Sequence, residues 1–139
     1  MDKTISYYQE SLQIFDEIGD KGSTAKVLNH LGIAYGKRND PIAIDYLTKS
    51  LKIKEEIGDQ RGIPTTLTNL GLVYKGIGNF NAAIDYFEKA LAIFTKASYS
   101  NVIASVSMNI ASIYMLQGNI KIAIAYYNEC LNIHTSNKN

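Results

Sequence analysis

Histidine, cysteine and paired carboxylates are the side chains here whose types could support catalysis or metal binding. His30 and His134 are the only histidines, and Cys130 is the single cysteine, which excludes an intrachain disulfide and a multi-cysteine metal site. The acidic pairs 16–17 and 55–56 recur near predicted helix ends, so we interpret them as solvated carboxylates rather than an acid/base couple. No GxSxG, P-loop, HExxH or GxGxxG motif occurs. The sequence therefore predicts no enzyme, no cofactor and no metal site.

The charge of the chain is almost balanced, at a formal +1 over 139 residues. Such a chain has no long-range field that would attract nucleic acid or an anionic membrane. No stretch approaches the roughly 20 consecutive apolar residues that cross a bilayer, and the first ten residues contain no apolar run typical of a secretion signal. We expect a cytoplasmic protein that binds neither nucleic acid nor membrane.

The sequence repeats itself about every 40 residues. The clearest copy lies within NFNAAIDYFEKAL at Asn79–Leu91, and its tyrosine recurs at intervals of 39 or 40 residues. The four copies are Thr4–Leu12, Ala43–Leu51, Ala83–Leu91 and Ala123–Leu131, with shared tyrosines Tyr7, Tyr46, Tyr86 and Tyr126. A second segment recurs between them, at Leu28–Tyr35, Leu67–Tyr74 and Ser107–Tyr114. A period of this length predicts an array of two-helix units in which the recurring tyrosines pack between helices.

Apolar residues spaced three and four apart predict seven helices, separated by Gly, Asn, Asp and Pro signals. Their expected bounds are about 2–17, 21–37, 41–57, 60 or later to 76, 80–95, 98 or 100 to 116, and 119–134, followed by a frayed tail. Asp40 should cap the third helix with Pro41 as its first residue. Pro64 lacks an N–H, which predicts a late start or a slight bend in the fourth helix. The short connections make successive helices antiparallel neighbours.

The order of residues within each unit resembles the tetratricopeptide repeat (TPR). The middle unit reads Leu67, Leu70, Gly71, Tyr74, Ala83, Phe87 and Ala90; the first reads Leu28, Leu31, Gly32, Tyr35, Ala43, Leu47 and Ser50; the third reads Ser107, Ile110, Ala111, Tyr114, Ala123, Tyr127 and Cys130. This resemblance implies an all-α fold, a right-handed α-solenoid of antiparallel helix hairpins with about three and a half repeats. The expected divisions are residues 1–19 as the second helix of a partial repeat, then 20–58, 59–97 and 98–136.

The recurring positions have packing roles. A small residue at Gly32, Gly71 or Ala111 should let the paired helix approach closely, with Leu47, Phe87 or Tyr127 filling the space beside it. Cys130 shares its position with Ser11, Ser50 and Ala90, which favours a small buried side chain over a reactive thiol.

Two features depart from the ordinary repeat. The period of about 40 exceeds the usual 34 and is similar to that of the elongated TPR subclass of kinesin light chains, LGN-type polarity adaptors and bacterial regulatory proteins. The chain also begins in a second helix, which leaves one side of Ile5 and Tyr8 uncovered, and residues 97–137 carry only Lys121 and Glu129 as charges. Solenoids usually end in polar faces. Either the chain is a segment of a longer array or its uncapped ends form a homo-oligomer.

The resemblance also implies a binding surface, because the first helices of successive TPR repeats line a concave groove for extended peptides or partner helices. By register, the inward positions are Lys26, Asn29, His30, Ile33, Lys37, Thr65, Thr68, Asn69, Leu72, Lys75, Ser105, Met108, Asn109, Ser112 and Met115. His30, Asn69 and Asn109 form one column, similar to the asparagine ladder of elongated TPR adaptors. Their amides can bridge a partner's backbone; alternatively, Asn69 and Asn109 bond the neighbouring repeat's backbone.

One TPR subtype is not expected here. Chaperone-tail-binding domains hold a terminal carboxylate with lysine, asparagine and arginine side chains, and the matching positions are Asn29, Ile33, Asn69, Ser105 and Asn109, which include no cation. Lys26, Lys37 and Lys75 could favour acidic partners or simply be solvated. Met108, Met115 and Leu116 could receive an amphipathic helix or be covered by a further repeat.

The predicted function is a non-catalytic protein–protein interaction module that binds a peptide or partner helix in its concave groove. Two alternatives stay open. One is a regulatory or sensor segment of a larger bacterial signalling protein, such as a histidine kinase, a transcription factor or a Rap-like regulator. The other is a self-assembling unit.

Overall fold

The computed structural model describes the backbone of residues 3–136 and the side chains of residues 3–132. Within that range it contains seven helices and no strand: α1 Lys3–Glu17, α2 Lys21–Gly36, α3 Ile42–Glu56, α4 Gly62–Gly76, α5 Phe80–Lys96, α6 Ser100–Leu116 and α7 Ile120–Ser136. The number and order of helices confirm the prediction. The side chain of His134 and residues 137–139 of the predicted frayed tail lie outside the described residues.

All six turns stop their helices in the same way. Each contains one residue with positive φ, and two of these are the non-glycine residues Asn39 and Ser98. The following residue donates its N–H to a carbonyl five positions back, at 2.8 Å between Asn119 N and Tyr114 O. This arrangement satisfies carbonyls that the helix end would leave unpaired. Side chains then cap the next helix in several turns, as where Asp59 Oδ1 accepts from Gly62 N at 2.9 Å.

The starts of α3 and α4 agree with the predictions in most details. Asp40 Oδ1 accepts from Ile42 N at 3.1 Å, as expected, but Pro41 precedes the third helix rather than forming its first residue. The fourth helix begins late, at Gly62, which makes Pro64 its third residue. The missing N–H of Pro64 costs little there, because the first N–H groups of a helix have no partner within it.

The helices form two layers, with α2, α4 and α6 in the inner layer and α1, α3, α5 and α7 in the outer one. Each helix packs on its neighbours along the chain, and α2 also contacts α4. Fully buried side chains, including Leu31, Leu47, Leu70, Phe87 and Ile110, form a strip between the layers. The core is therefore continuous from repeat to repeat, as expected for a solenoid.

The recurring tyrosines stack in pairs between the two helices of a hairpin, as predicted for packing residues. The pairs are Tyr35–Tyr46, Tyr74–Tyr86 and Tyr114–Tyr126, with ring centroids 5.4, 5.4 and 5.9 Å apart. Tyr7 differs from the other members of its column because it is 66% exposed.

The predicted uncovered side on α1 was wrong for Ile5, whereas Tyr8 is half-buried. Ile5 is buried against Val27 and Leu31 of α2, and Tyr8 packs on the same cluster. The reason is the helix face: Ile5 and Tyr8 point towards the following repeat. The exposed apolar residues of this region are Tyr7 and Ile14 of α1 and Ile18, which directly follows the helix.

The close approach of paired helices depends on glycine. A Cβ on Gly71 would lie 2.6 Å from Cε1 of Phe87, and one on Gly32 would lie within the side chain of Leu47. Both distances are far below a normal contact. Ala111 occupies the equivalent position in the third repeat, and its partner Tyr127 is only half-buried.

The seam between α3 and α4 contains a buried polar pair. Lys54 is only 5% exposed, and its Nζ donates to Thr66 Oγ1 at 2.7 Å and more weakly to Gly62 O at 3.5 Å. Burial lowers the pKa of the Lys54 ammonium, and the nearby Asp59 partly opposes this. Neighbouring repeats have apolar residues at these two positions, Phe15 with Val27 and Phe94 with Val106. The polar pair thus replaces an apolar one at this seam alone.

Replacing Gly71 with alanine should destabilise the fold by about 1–3 kcal/mol, because the new methyl group overlaps the ring of Phe87. The matched control is Gly22→Ala, whose Cβ would meet nothing closer than 3.7 Å. That variant should be neutral or stabilised by up to about 1 kcal/mol, since alanine favours a helix over glycine. Urea unfolding followed by circular dichroism measures both. Equal effects of the two substitutions would contradict this account of the packing.

Thr66→Val should destabilise the protein by about 1–3 kcal/mol, because it leaves the Lys54 ammonium buried without its closest acceptor. The double variant Lys54→Phe with Thr66→Val restores the pair found in neighbouring repeats and should recover most of that loss. Thermal unfolding of both variants and the native protein provides the comparison. A double variant no more stable than Thr66→Val alone would show that the seam cannot accept the apolar pair.

Candidate functional site

The predicted groove residues lie on the inner layer. All belong to α2, α4 or α6 except Lys37, which follows the end of α2. Asn29 is buried, while the others are half-buried or exposed. The structure therefore places this set on one wall, although it connects only some of its members to one another.

Asn29 and Asn69 form a hydrogen-bonded amide pair across the first two repeats. Asn69 Nδ2 donates to Asn29 Oδ1 at 3.1 Å, and Thr66 Oγ1 donates to the same oxygen at 3.2 Å. Because Thr66 in turn accepts from Lys54, the buried ammonium fixes the direction of the whole chain of bonds. Among the described residues, Asn29 Nδ2 and Asn69 Oδ1 have no further hydrogen-bond partner. One amide donor and one acceptor thus remain available on the inner wall.

A second polar link joins the second and third repeats. Lys75 Nζ donates to Ser112 Oγ at 2.8 Å and to Asn109 Oδ1 at 3.4 Å. Asn109 Nδ2 donates to Ser105 O within its own helix at 3.2 Å. Lys75 therefore connects α4 with α6 rather than being a solvated cation, and both ends of the Asn109 amide are engaged inside the protein.

The column of His30, Asn69 and Asn109 does not form a continuous ladder. The His30 ring stacks on Tyr8 of α1, with centroids 5.2 Å apart and planes 9° from parallel. Asn69 bonds a side chain of the preceding repeat, and Asn109 bonds a backbone carbonyl of its own helix. The alternative expectation, bonds to the backbone of a neighbouring repeat, is met by neither asparagine.

Two cavities flank Asn69 on the inner wall. The one between α2 and α4 has a volume of about 200 Å³ and is lined by Ile33, Lys37 and Leu72 among others. The one between α4 and α6 has a volume of about 300 Å³, and its lining includes Arg61, Phe94 and Tyr99. Asn69 borders both cavities, so its side chain forms the ridge between them.

Several of these residues were not anticipated from the sequence. Lys54 and Thr66 carried a signal, because each is polar at a position where the neighbouring repeats are apolar. Arg61 and Tyr99 carried none, since they lie in turns just before α4 and α6 and come together only through the stacking of repeats.

Two of the side chains considered for catalysis, Cys130 and Glu56, make contacts within the protein. Cys130 Sγ donates to Ala104 O at 3.3 Å, and burial raises the pKa of the thiol, with Glu129 adding to the effect. This confirms the prediction of a packed, unactivated cysteine. Glu56 pairs with Lys21 at 3.5 Å on the surface. Among the described side chains, no three histidine, cysteine or acidic residues are grouped as a metal site would need, and no described helix has the length and apolarity to cross a membrane.

Structures of known proteins share this fold at low sequence identity. BtubC (BKLC) from P. vanneervenii aligns with a TM-score of 0.88 and 19% identity over 96% of this chain. The TPR domain of Arabidopsis FLU gives 0.76 and 20% over 84%, covering 98% of that domain, and the apo form of RapI gives 0.69 and 20% over 96%. The chain spans 56% of the BtubC chain and 62% of the RapI chain.

Family models match most of the chain. A family model described as tetratricopeptide repeat matches residues 1–56 and again residues 41–96, and a second model with the same description matches residues 104–135. A comparison with curated protein sequences gave no match. With its stacked helix hairpins and its recurring glycine and tyrosine positions, the chain belongs to the tetratricopeptide repeat family.

Proposed function

We propose that this protein is a non-catalytic interaction module whose inner wall binds an extended segment of a partner protein. The TPR fold in general supports protein–protein interaction. The near-neutral charge of the chain favours a protein over a nucleic acid or a membrane as the partner, and we propose the cytoplasm as the setting.

The observation that carries this proposal is the Asn29–Asn69 pair. Its available donor, Asn29 Nδ2, and its available acceptor, Asn69 Oδ1, match the C=O and N–H groups of a peptide backbone. Their orientation is set before binding, because Thr66 and Lys54 hold the Asn29 amide from behind. A preorganised pair loses less entropy on binding than two freely rotating side chains.

This chemistry favours an extended segment over a partner helix. The backbone groups of a helix interior are already bonded to one another, whereas those of an extended chain are free to pair with side-chain amides. The cavities on either side of Asn69 supply the second requirement, since side chains of a segment crossing α4 can enter them. Backbone bonds at the ridge would then provide affinity, and the cavities would provide selectivity.

A second candidate function, self-association, is favoured by a different observation. Ile120 and Ile124 of α7 are 55% and 50% exposed, while Ile84, at the position equivalent to Ile124, is 9% exposed on α5. The exposed pair lies four residues apart on one helix face and could be buried by a second copy of the chain.

Asn69→Ala should weaken binding of a peptide by about tenfold or more, or about 1.4 kcal/mol, because it removes the free acceptor and releases Asn29. The peptide is one selected against the native protein from a random 12-residue phage library, and calorimetry measures its affinity. Asn109→Ala is the matched control and should have a smaller effect, since its amide is engaged by Lys75 and Ser105. Circular dichroism should be unchanged for both variants. An unaltered affinity for Asn69→Ala would rule out the proposed mode of binding.

If self-association occurs through α7, sedimentation velocity across a dilution series should show the native protein dissociating from a dimer. Ile120→Lys with Ile124→Lys should then sediment as a monomer throughout, because two charges would be forced into the apolar contact. Lys52→Glu, on the outer face of α3, is a control that should leave association unchanged. A native protein that remains monomeric at the highest concentration would remove this candidate.

A further inference from the structure

The cavity between α4 and α6 combines an apolar floor with a single cation. Phe94 is 5% exposed and lies at its base, and Tyr99 and Val102 form its other apolar walls. Arg61 lies at the rim, with its guanidinium carbon 5.6 Å from the centroid of the Tyr99 ring. A guanidinium over an aromatic ring is attracted to the face of that ring, and its N–H groups remain able to bind a planar acceptor.

In the part of the chain that the structure describes, no carboxylate forms an ion pair with Arg61, whereas Lys21 pairs with Glu56. Asp59 is two residues away, but its carboxylate caps α4 through Gly62 N. An arginine held at the mouth of an apolar cavity without an internal partner is suited to a ligand that brings its own carboxylate.

The other polar groups at the rim mainly present oxygen acceptors. The hydroxyl of Thr65 donates to Arg61 O at 3.1 Å, and that of Thr68 donates to Pro64 O at 2.9 Å. Asn69 uses its Nδ2 to bond Asn29. These oxygens repel a second anionic group and accept N–H donors, so the rim fits one carboxylate together with backbone amides.

The equivalent site one repeat earlier, near the starts of α2 and α4, cannot form the same cavity. There the positions of Arg61, Phe94 and Val102 are occupied by Gly22, Lys54 and Gly62. The first of these has no side chain, the second fills the seam with a hydrogen-bonded ammonium, and the third removes an apolar wall. The combination of an apolar cavity with an unpaired arginine therefore occurs at the later of these two equivalent sites and not at the earlier one.

We propose that this cavity selects for an acidic residue one or two positions from a bulky apolar residue in the bound segment. The apolar side chain enters against Phe94 and Val102, while the carboxylate pairs with Arg61. The smaller cavity on the other side of Asn69 follows the same rule, with Lys37 beside Ile33 and Leu72. Alternating acidic and apolar residues would thus fit both cavities. This inference rests on the proposed function, because it requires an extended segment on the inner wall.

The test begins with the same random 12-residue phage library. Peptides enriched by the native protein should carry Asp or Glu within two residues of Phe, Tyr, Leu, Ile or Met. Arg61→Glu should weaken binding of such a peptide by about tenfold, and changing its acidic residue to lysine should restore binding to Arg61→Glu. Binding to the native protein should also weaken as salt is raised, because the pair lies at a solvated rim. Lys52→Glu makes the same charge change on the outer layer and should leave the affinity unchanged.

The outcomes separate this inference from the proposed function. If Asn69→Ala weakens binding but Arg61→Glu does not, the cavity has no charge selectivity and the inference is overturned, while the groove stands. If neither substitution matters, or no peptide is enriched, both fall together. If 3-phenylpropionate displaces the peptide with the same dependence on Arg61, the occupant is a small carboxylic acid and the inference about a peptide is overturned.

Discussion

The interlocking of paired helices at glycine is the contact on which the rest of the molecule depends. Phe87 lies on the bare backbone of Gly71 and Leu47 on that of Gly32, where any Cβ would collide. This close approach lets a single layer of side chains fill the space between the two layers of helices. It also fixes the angle at which each inner helix presents its exposed face on the inner wall. The positions of Asn29, Asn69 and Arg61 follow from that angle, although none of them takes part in the contact.

The buried polar pair between α3 and α4 shows how a solenoid can change one contact between helices without changing its architecture. A buried ammonium generally costs more than an apolar side chain of similar size, and neighbouring repeats indeed use phenylalanine with valine. Lys54 and Thr66 replace that pair and extend hydrogen bonds to the inner wall through Asn29. These hydrogen bonds orient the amide, because a side chain that is bonded at its oxygen points its nitrogen in a defined direction. Under the proposed function, the hydrogen bonds that stabilise this contact between helices would also orient the groups that bind the partner.

Much of the fold could be predicted from the sequence because its causes are local. Helix periodicity, the residues with positive φ and the capping carboxylates act within a few positions, and their recurrence identified the array. The predicted groove set was placed on the inner layer, since register follows from the period. The contacts that distinguish one part of the wall from another could not be predicted. Arg61 meets Tyr99, and Lys75 meets Ser112, across a whole repeat. The wrong prediction for Ile5 had a similar cause. A stripe of apolar residues shows which face of a helix is buried, but it does not show which neighbouring helix covers that face.

The sequential packing of helices has a consequence for biosynthesis. Each helix touches mainly those directly before and after it, so almost every contact joins parts of the chain that leave the ribosome close together in time. Folding of such short-range topologies is fast, and it does not wait for distant segments. The first hairpin can therefore close while the later ones are still being translated, and each new hairpin can add to a surface that is already folded.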